Sequence, residues 1–194
     1  MKKLLCITLL LFFNSGVYCQ KINTLKFAIQ LGAAFANSRQ DEVNQSYSVT
    51  EKTKTGLLAG CFLNYTVRKS LLLQPALLYV RKGAKQHFQN TYANPLVYNY
   101  IEIPLNIVYT TKTGNSIFGL GGGLSPAFKL NTILATNETK NFDLGVNALA
   151  MYQWAIGFSA NVRYTYSLLN TSAVKTNISK IQNSYFSITA GYEF

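Results

Sequence analysis

The stretch that decides the fold reads Phe186-Ser187-Ile188-Thr189-Ala190-Gly191-Tyr192-Glu193-Phe194. Apolar and polar side chains alternate along it, with an apolar residue at every even position. A β-strand repeats every two residues, so this stretch presents one apolar face and one polar face. The apolar face finishes with Tyr192 and Phe194, and aromatic side chains at strand ends are typical of membrane barrels, where they lie at the membrane–water interface. The stretch therefore predicts a transmembrane strand rather than the edge strand of a soluble protein.

The apolar face of this stretch also resembles the C-terminal signal by which bacterial outer-membrane barrels are recognised for assembly. Its residues are Phe186, Ile188, Ala190, Tyr192 and Phe194. The resemblance implies that the chain meets the barrel-assembly machinery during its biogenesis, and that the bacterial outer membrane is its destination.

The first residues have the composition of a secretory signal peptide. Lys2 and Lys3 precede an apolar run over 4–13, and a small-residue cleavage pattern leads up to Gln20. The run is too short for a transmembrane helix, which needs about 20 apolar residues. An alternative in which Cys19 is lipidated is disfavoured because the bulky Tyr18 precedes it. We therefore expect a signal peptide over 1–19 and one barrel domain over 20–194.

Seven further stretches alternate in the same way. The predicted strands cover 25–35, 55–65, 71–81, 98–109, 117–128, 142–152, 155–166 and 184–194. Their lengths are close to the 9–11 or so residues with which a tilted strand crosses a bilayer. Long and short connections alternate between them, as in outer-membrane barrels, whose strand number is even. The pattern predicts an all-β, eight-stranded antiparallel up-and-down transmembrane β-barrel, monomeric, with periplasmic termini and extracellular long loops. Pro75 lacks a ladder donor and predicts a bulge or a lost hydrogen bond in the third strand.

Five short elements of the sequence resemble the PorT-like outer-membrane β-barrel family of Bacteroidota. They are Tyr100-Ile101-Glu102-Ile103-Pro104-Leu105, Gly119-Leu120-Gly121-Gly122-Gly123, Phe142-Asp143-Leu144-Gly145, Val162-Arg163-Tyr164 and Gly191-Tyr192-Glu193-Phe194. The resemblance implies a small eight-stranded barrel like those of OmpA and OmpX. PorT itself belongs to the type IX secretion and gliding machinery, so the resemblance also implies secretion-system proteins as one class of partner.

Five charged residues fall on the polar faces of the predicted strands: Lys26, Glu102, Asp143, Arg163 and Glu193. Side chains just fill the interior of an eight-stranded barrel, and buried charges must be paired there because isolated ones are costly. We expect Arg163 to pair with Glu102, Asp143 or both, and Glu193 to lie inside with Arg163. Such a salt-bridged plug predicts a closed barrel, and a gated channel is the alternative. The glycines at 119–123 lack the ending of a phosphate-binding loop, and we expect them to make room for bulky neighbours such as Tyr100.

The formal net charge is +11, which raises the question of an anionic partner. An exported protein meets lipopolysaccharide rather than nucleic acid, so we expect Arg81, Lys82 and Lys85 to contact lipopolysaccharide phosphates or another anionic ligand. A solvated rim without a specific partner is the alternative.

Catalysis and cofactor binding have little support in the sequence. His87 is the single histidine, no acidic partner is evident for it, and after removal of the signal peptide Cys61 is the single cysteine. We predict an integral outer-membrane protein with a surface-loop binding or structural role, no open pore, no enzymatic activity and no cofactor. The alternatives are an accessory component of a type IX-like secretion system and an outer-membrane lipid-modifying enzyme.

Overall fold

The computed structural model describes residues 24–42, 52–85, 87–88, 91–92, 96–130, 140–169 and 178–194. Eight long strands run through them: β1 Leu25–Glu42, β2 Lys52–Arg68, β3 Leu71–Lys85, β4 Leu96–Glu102 continued by Leu105–Thr113, β5 Ser116–Leu130, β6 Phe142–Gln153, β7 Phe158–Ser167 and β8 Ile178–Glu193. A separate two-stranded ladder pairs His87–Phe88 with Thr91–Tyr92. Within these ranges, no helix has the length and apolar character needed to span a bilayer. The predicted signal peptide over 1–19 lies outside the described residues.

Antiparallel pairing joins every strand to its neighbour in sequence and then joins β8 back to β1. The sheet therefore closes on itself without an edge, and the predicted eight-stranded up-and-down barrel is confirmed. A path through directly paired residues from Leu25 passes every strand and returns to β1 at Phe35, ten residues further along. This stagger corresponds to a strand tilt of about 40°.

Side chains alternate between the two faces of the barrel wall, as the sequence pattern predicts. On β7, Phe158, Val162 and Tyr164 are exposed on the outside, whereas Ser159 and Thr165 are buried inside. The other strands repeat this arrangement, so that large apolar side chains form the outer surface. Such an exterior is stable only in an apolar medium, because an aqueous one would leave a large contiguous apolar surface in water.

Aromatic side chains gather on the outside near the short turns. Phe27 stacks on Phe194 with ring centroids 6.1 Å apart, and Tyr192 lies edge-on to both Phe194, at 5.1 Å, and Phe158, at 5.2 Å. Tyr152 and Trp154 add a further edge-on pair at 4.9 Å. Phe128 and Phe142 pack together at the opposite end, with ring centroids 5.3 Å apart. Two aromatic belts of this kind are typical of a barrel that spans a bilayer.

Several strands are longer than the alternating pattern predicts. β1 continues to Glu42 and β8 begins at Ile178, because the two backbones remain paired beyond the stretch of alternating apolar residues. The alternation detects only the part of a strand that faces lipid. The turn between β6 and β7 also differs from the prediction. β7 begins at Phe158 rather than at 155, and Gly157 adopts a φ of 88° in the turn, a conformation that few other residues tolerate.

Proline residues interrupt the ladder on three neighbouring strands. Ala76 donates its backbone N–H to the carbonyl oxygen of Pro104 at 2.9 Å, and Ile103 donates to that of Pro126 at 2.9 Å. Neither proline has an N–H with which to complete the pair. We call the ladder between two neighbouring strands a seam. Because these hydrogen bonds are missing, two residues on each strand fall outside the regular pairing in both the β3–β4 seam and the β4–β5 seam.

The β2–β3 seam has a matching gap at Pro75. Regular pairing stops at Phe62 opposite Ala76 and resumes at Tyr65 opposite Leu73. The register is the same on both sides of the gap, so Pro75 removes a hydrogen bond without forming a bulge. Three consecutive seams are therefore weakened at adjacent positions, and we call this part of the wall the proline face (Pro75, Pro104 and Pro126).

Candidate functional site

A network of polar side chains fills the barrel near the short turns. We call it the terminal cluster: Glu193, Lys26, Asn64, Gln153, Gln74 and Asn106. The Glu193 carboxylate accepts from Lys26 Nζ at 2.7 Å, Asn64 Nδ2 at 2.6 Å and Gln153 Nε2 at 2.7 Å. Gln74 Nε2 then donates to Asn64 Oδ1 at 3.0 Å, and Asn106 Nδ2 approaches Gln74 Oε1 at 3.5 Å.

The terminal cluster bridges six of the eight strands, namely β1, β2, β3, β4, β6 and β8. Its side chains cross the lumen, and all except Lys26, whose side chain is about half exposed, are buried. Charge-assisted hydrogen bonds to one carboxylate are shorter and stronger than neutral ones. The cluster therefore links six strands to one another across the lumen at this end.

A second network lies nearer the long connections. We call it the Glu102 cluster: Glu102, Lys82, Ser125, Tyr100 and Tyr185. Glu102 forms an ion pair with Lys82 and accepts from Tyr185 Oη at 2.5 Å and Ser125 Oγ at 3.3 Å. The Lys82 ammonium also lies over the rings of Tyr100, at 4.9 Å, and Tyr185, at 4.6 Å. A desolvated cation between two aromatic rings gains a further electrostatic attraction.

The prediction that Lys82 belongs to an anion-binding rim is wrong. Its side chain is 7% exposed and points into the barrel. The physical reason is that β3 continues beyond 81, so that Lys82 shares the inward parity of Leu78 and Val80. Extending the alternation of the third strand by one residue would have identified Lys82 as an inward residue.

The predicted partners of Arg163 are also wrong. In the described part of the chain, the ion pairs are Lys26–Glu193 and Lys82–Glu102, and Arg163 takes part in neither. Asp143 instead accepts a hydrogen bond from Ser167.

Strand register explains the separation of these charges. Arg163 is paired directly with Ser187 on β8 and Leu149 on β6. Glu193 and Asp143 lie six residues from those positions, roughly 20 Å along the strands. The sequence of a strand predicts whether a side chain faces the lumen or the membrane. The position of that side chain along the barrel axis also depends on the stagger between neighbouring strands, which the sequence of one strand does not reveal.

The remaining cationic candidates occupy different environments. Arg81 is exposed and follows Leu77 and Tyr79 on the outward row of β3. The backbone of Lys85 ends β3, whereas its side chain, like that of His87, lies outside the described residues.

The inward glycines of β5 make room for β4 and for interior side chains other than Tyr100. A Cβ on Gly123 would lie 1.8 Å from the Leu105 carbonyl oxygen, so this glycine lets β4 and β5 approach closely. A Cβ on Gly119 would instead lie 2.7 Å from Cγ of the Met151 side chain.

No cluster of three or more metal-ligating side chains occurs among the residues described. A shallow groove on the outer surface is lined by Ile29, Leu31, Phe158, Ala190 and Tyr192, with Gln30 and Gly191. Its lining is almost wholly apolar, so it belongs to the lipid-facing surface.

A closed barrel with an apolar exterior, two aromatic belts and a polar interior defines an integral outer-membrane β-barrel protein. The chain belongs to the outer membrane protein beta-barrel domain family, whose model matches residues 14–173. Membership of this family places the protein in the bacterial outer membrane. No curated protein sequence matches it significantly.

Solved outer-membrane barrels share the fold at low sequence identity. OprG from Pseudomonas aeruginosa is 17% identical with a TM-score of 0.57, over 89% of this chain and 97% of OprG. The neisserial surface protein NspA is 16% identical with a TM-score of 0.51, over 87% and 97% of the two chains. The outer membrane enzyme PagL is 14% identical with a TM-score of 0.50, over 86% and 98%. These likenesses concern the fold alone.

Proposed function

We propose that this protein is a closed barrel that binds anionic lipopolysaccharide headgroups around its long-connection end, which faces the cell exterior. The observation that carries the proposal is the outward row of β3. Leu73, Leu77, Tyr79 and Arg81 follow one another along the lipid-facing surface. An aliphatic segment, an aromatic residue and then a cation match the acyl chains, the interface and the charged headgroups of a bilayer in turn.

The charge distribution of the described side chains supports an anionic partner. Glu102, Asp143 and Glu193 are all buried. The exposed charges in the same ranges are all cations: Lys26, Arg68, Lys69, Arg81, Lys112 and Lys140. Among the described side chains, the acids are therefore interior and the exposed charges are of the sign that attracts phosphates.

The closed interior supports a binding or structural role over transport. The terminal cluster and the Glu102 cluster lie at different heights, and each crosses the lumen. A permeant molecule would have to break ion pairs in both, and breaking a buried pair costs about 3–5 kcal/mol.

The experiment compares lipopolysaccharide binding by Arg81→Gln, by Arg81→Gln with Lys85→Gln, and by Lys69→Gln as a matched control at the other end. A cation near an anionic membrane surface contributes about 1 kcal/mol, so we expect roughly fivefold weaker binding for Arg81→Gln and little change for Lys69→Gln. Binding would be measured by microscale thermophoresis in detergent at two salt concentrations. Equal affinities for all the variants would refute the proposal. Lys82 must stay intact, because its loss would disturb the interior.

The other two functions expected from the sequence gain no specific support. Tyr100, Glu102 and Pro104 belong to the first of the five elements that carry the resemblance to PorT-like barrels, and they are buried in the wall and interior, which favours a structural role for them. We propose further that the protein is not an enzyme. An unchanged lipid A mass spectrum after deletion of the gene is the expected result, and a specific mass shift would contradict it.

A further inference from the structure

Arg163 is a buried cation without an acidic partner among the side chains that the structure describes. It is 5% exposed, and its Nε has no hydrogen-bond partner among the described residues. A guanidinium group stays protonated even inside proteins. The Arg163 guanidinium lies close enough to the Tyr185 hydroxyl to interact with it electrostatically, and that hydroxyl donates a hydrogen bond to Glu102. An isolated buried charge costs several kcal/mol unless something compensates it.

The interior acids do not supply this compensation. Glu102 is engaged by Lys82, Tyr185 and Ser125, and Glu193 is engaged by the terminal cluster. Asp143 bonds to Ser167 and is the second residue of β6, far along the strand from the level of Arg163.

A second orphan donor faces the same part of the lumen. Gln30 Oε1 accepts from Thr189 Oγ1 at 3.0 Å, which leaves the buried Nε2 of Gln30 without a partner among the described residues. Thr189 is paired directly with Asn161, two residues before Arg163. Both orphan donors therefore lie between the terminal cluster and the Glu102 cluster.

Ordered water would satisfy some of the polar groups at this level, such as the orphan amide oxygens of Asn106 and Asn147. Water does not neutralise a guanidinium, however. In a lumen closed at both ends, electrostatic interactions are weakly screened, and the charge of Arg163 calls for an anion.

We propose that the middle of the lumen holds a small inorganic anion, of the size of chloride, bound by Arg163 and reached by Gln30. The ion is enclosed between the two clusters and completes the charge balance of the interior. This site is distinct from the lipopolysaccharide-binding surface, since it lies inside the barrel and takes a monatomic anion.

The direct test is crystallisation of the wild-type protein, refolded in detergent with bromide in place of chloride. We expect an anomalous peak within hydrogen-bond distance of Arg163. An empty anomalous map at Arg163, or an acidic side chain paired with it, would overturn the proposal.

A solution test uses thermal unfolding in chloride and in gluconate at equal ionic strength, because gluconate is too large to occupy the site. The wild-type midpoint should be higher in chloride, this difference should vanish in Arg163→Met, and it should persist in the surface control Arg81→Gln. An equal chloride effect in Arg163→Met would also overturn the proposal. If Arg163→Met fails to fold, the bromide experiment decides alone.

Discussion

At the scale of single residues, inward or outward parity decides what a charged side chain does. Arg81 and Lys82 are neighbours in sequence, yet one is exposed on the lipid-facing side and the other is buried against Glu102. The chemistry of the two side chains is similar, so their positions in the pleat account for the difference. Basic residues that are clustered on one strand therefore divide into an inward group and an outward group, and they do not form a single surface patch.

The Lys82–Glu102 pair gives a prediction on stability. Lys82→Met should lower the free energy of unfolding by about 3–5 kcal/mol, because it leaves Glu102 as a buried charge without its partner. The double variant Lys82→Met with Glu102→Gln should recover much of that loss. Urea unfolding followed by tryptophan fluorescence measures both values. If the double variant were no more stable than the single one, the pairing argument would be wrong.

Sequence alone gives much of this residue-level pattern but not all of it. Glu102, Arg163 and Glu193 were predictable as inward residues from alternation within a strand. Their partners were not, because partners across a lumen depend on the stagger of the whole barrel. Ten residues of offset accumulate around the circumference, and no single strand carries that information.

At the scale of strands, the wall is uneven. The β7–β8 seam is paired continuously from Phe158 opposite Tyr192 to Tyr166 opposite Ser184. The proline face, by contrast, interrupts three seams in succession. The sequence predicts that Pro75 removes a backbone N–H donor from its strand. Its alignment with Pro104 and Pro126 follows only from the register between strands.

Hydrogen exchange should reveal this difference. We expect the backbone amides of Ala76 and Ile103 to exchange faster than those of the β7–β8 ladder near Arg163, since lone hydrogen bonds beside a gap open more easily than those in a continuous ladder. Pro104→Val restores an N–H opposite Ala76 and should slow both amides. NMR exchange rates in detergent micelles provide the measurement, and uniform rates across these seams would contradict the prediction.

The strand boundaries show where pattern reading stops. Apolar alternation located the lipid-facing part of each strand, because that part must expose apolar side chains to the membrane. The ends of β1 and β8 lack a regular alternation of apolar and polar residues. Only the backbone pairing of these two strands, from Asn37 opposite Ser184 to Glu42 opposite Ile178, defines their extent.

At the scale of the whole molecule, two separate clusters of side chains cross one lumen, and the proposed function requires that they close it. We expect no steady conductance from the wild-type protein in planar lipid bilayers. A variant with Glu102→Ala and Tyr185→Ala removes the centre of the Glu102 cluster and should show at most brief openings, because the terminal cluster still crosses the lumen. Steady large currents through the wild-type protein would refute the closed-barrel model.

The closing seam also has a consequence for the order in which the molecule folds. Lys26 and Glu193 are 167 residues apart in sequence, and Gln30 and Thr189 are 159 apart. Contacts between residues so far apart in sequence form slowly, because the chain loses conformational entropy before the stabilising contacts are made. Hairpins such as β6–β7 have short turns and form early, but each partial sheet keeps two open edges until β1 meets β8. We therefore expect the meeting of these two strands to be the slowest step of folding, and the unclosed sheet to be open to pairing with other chains until then.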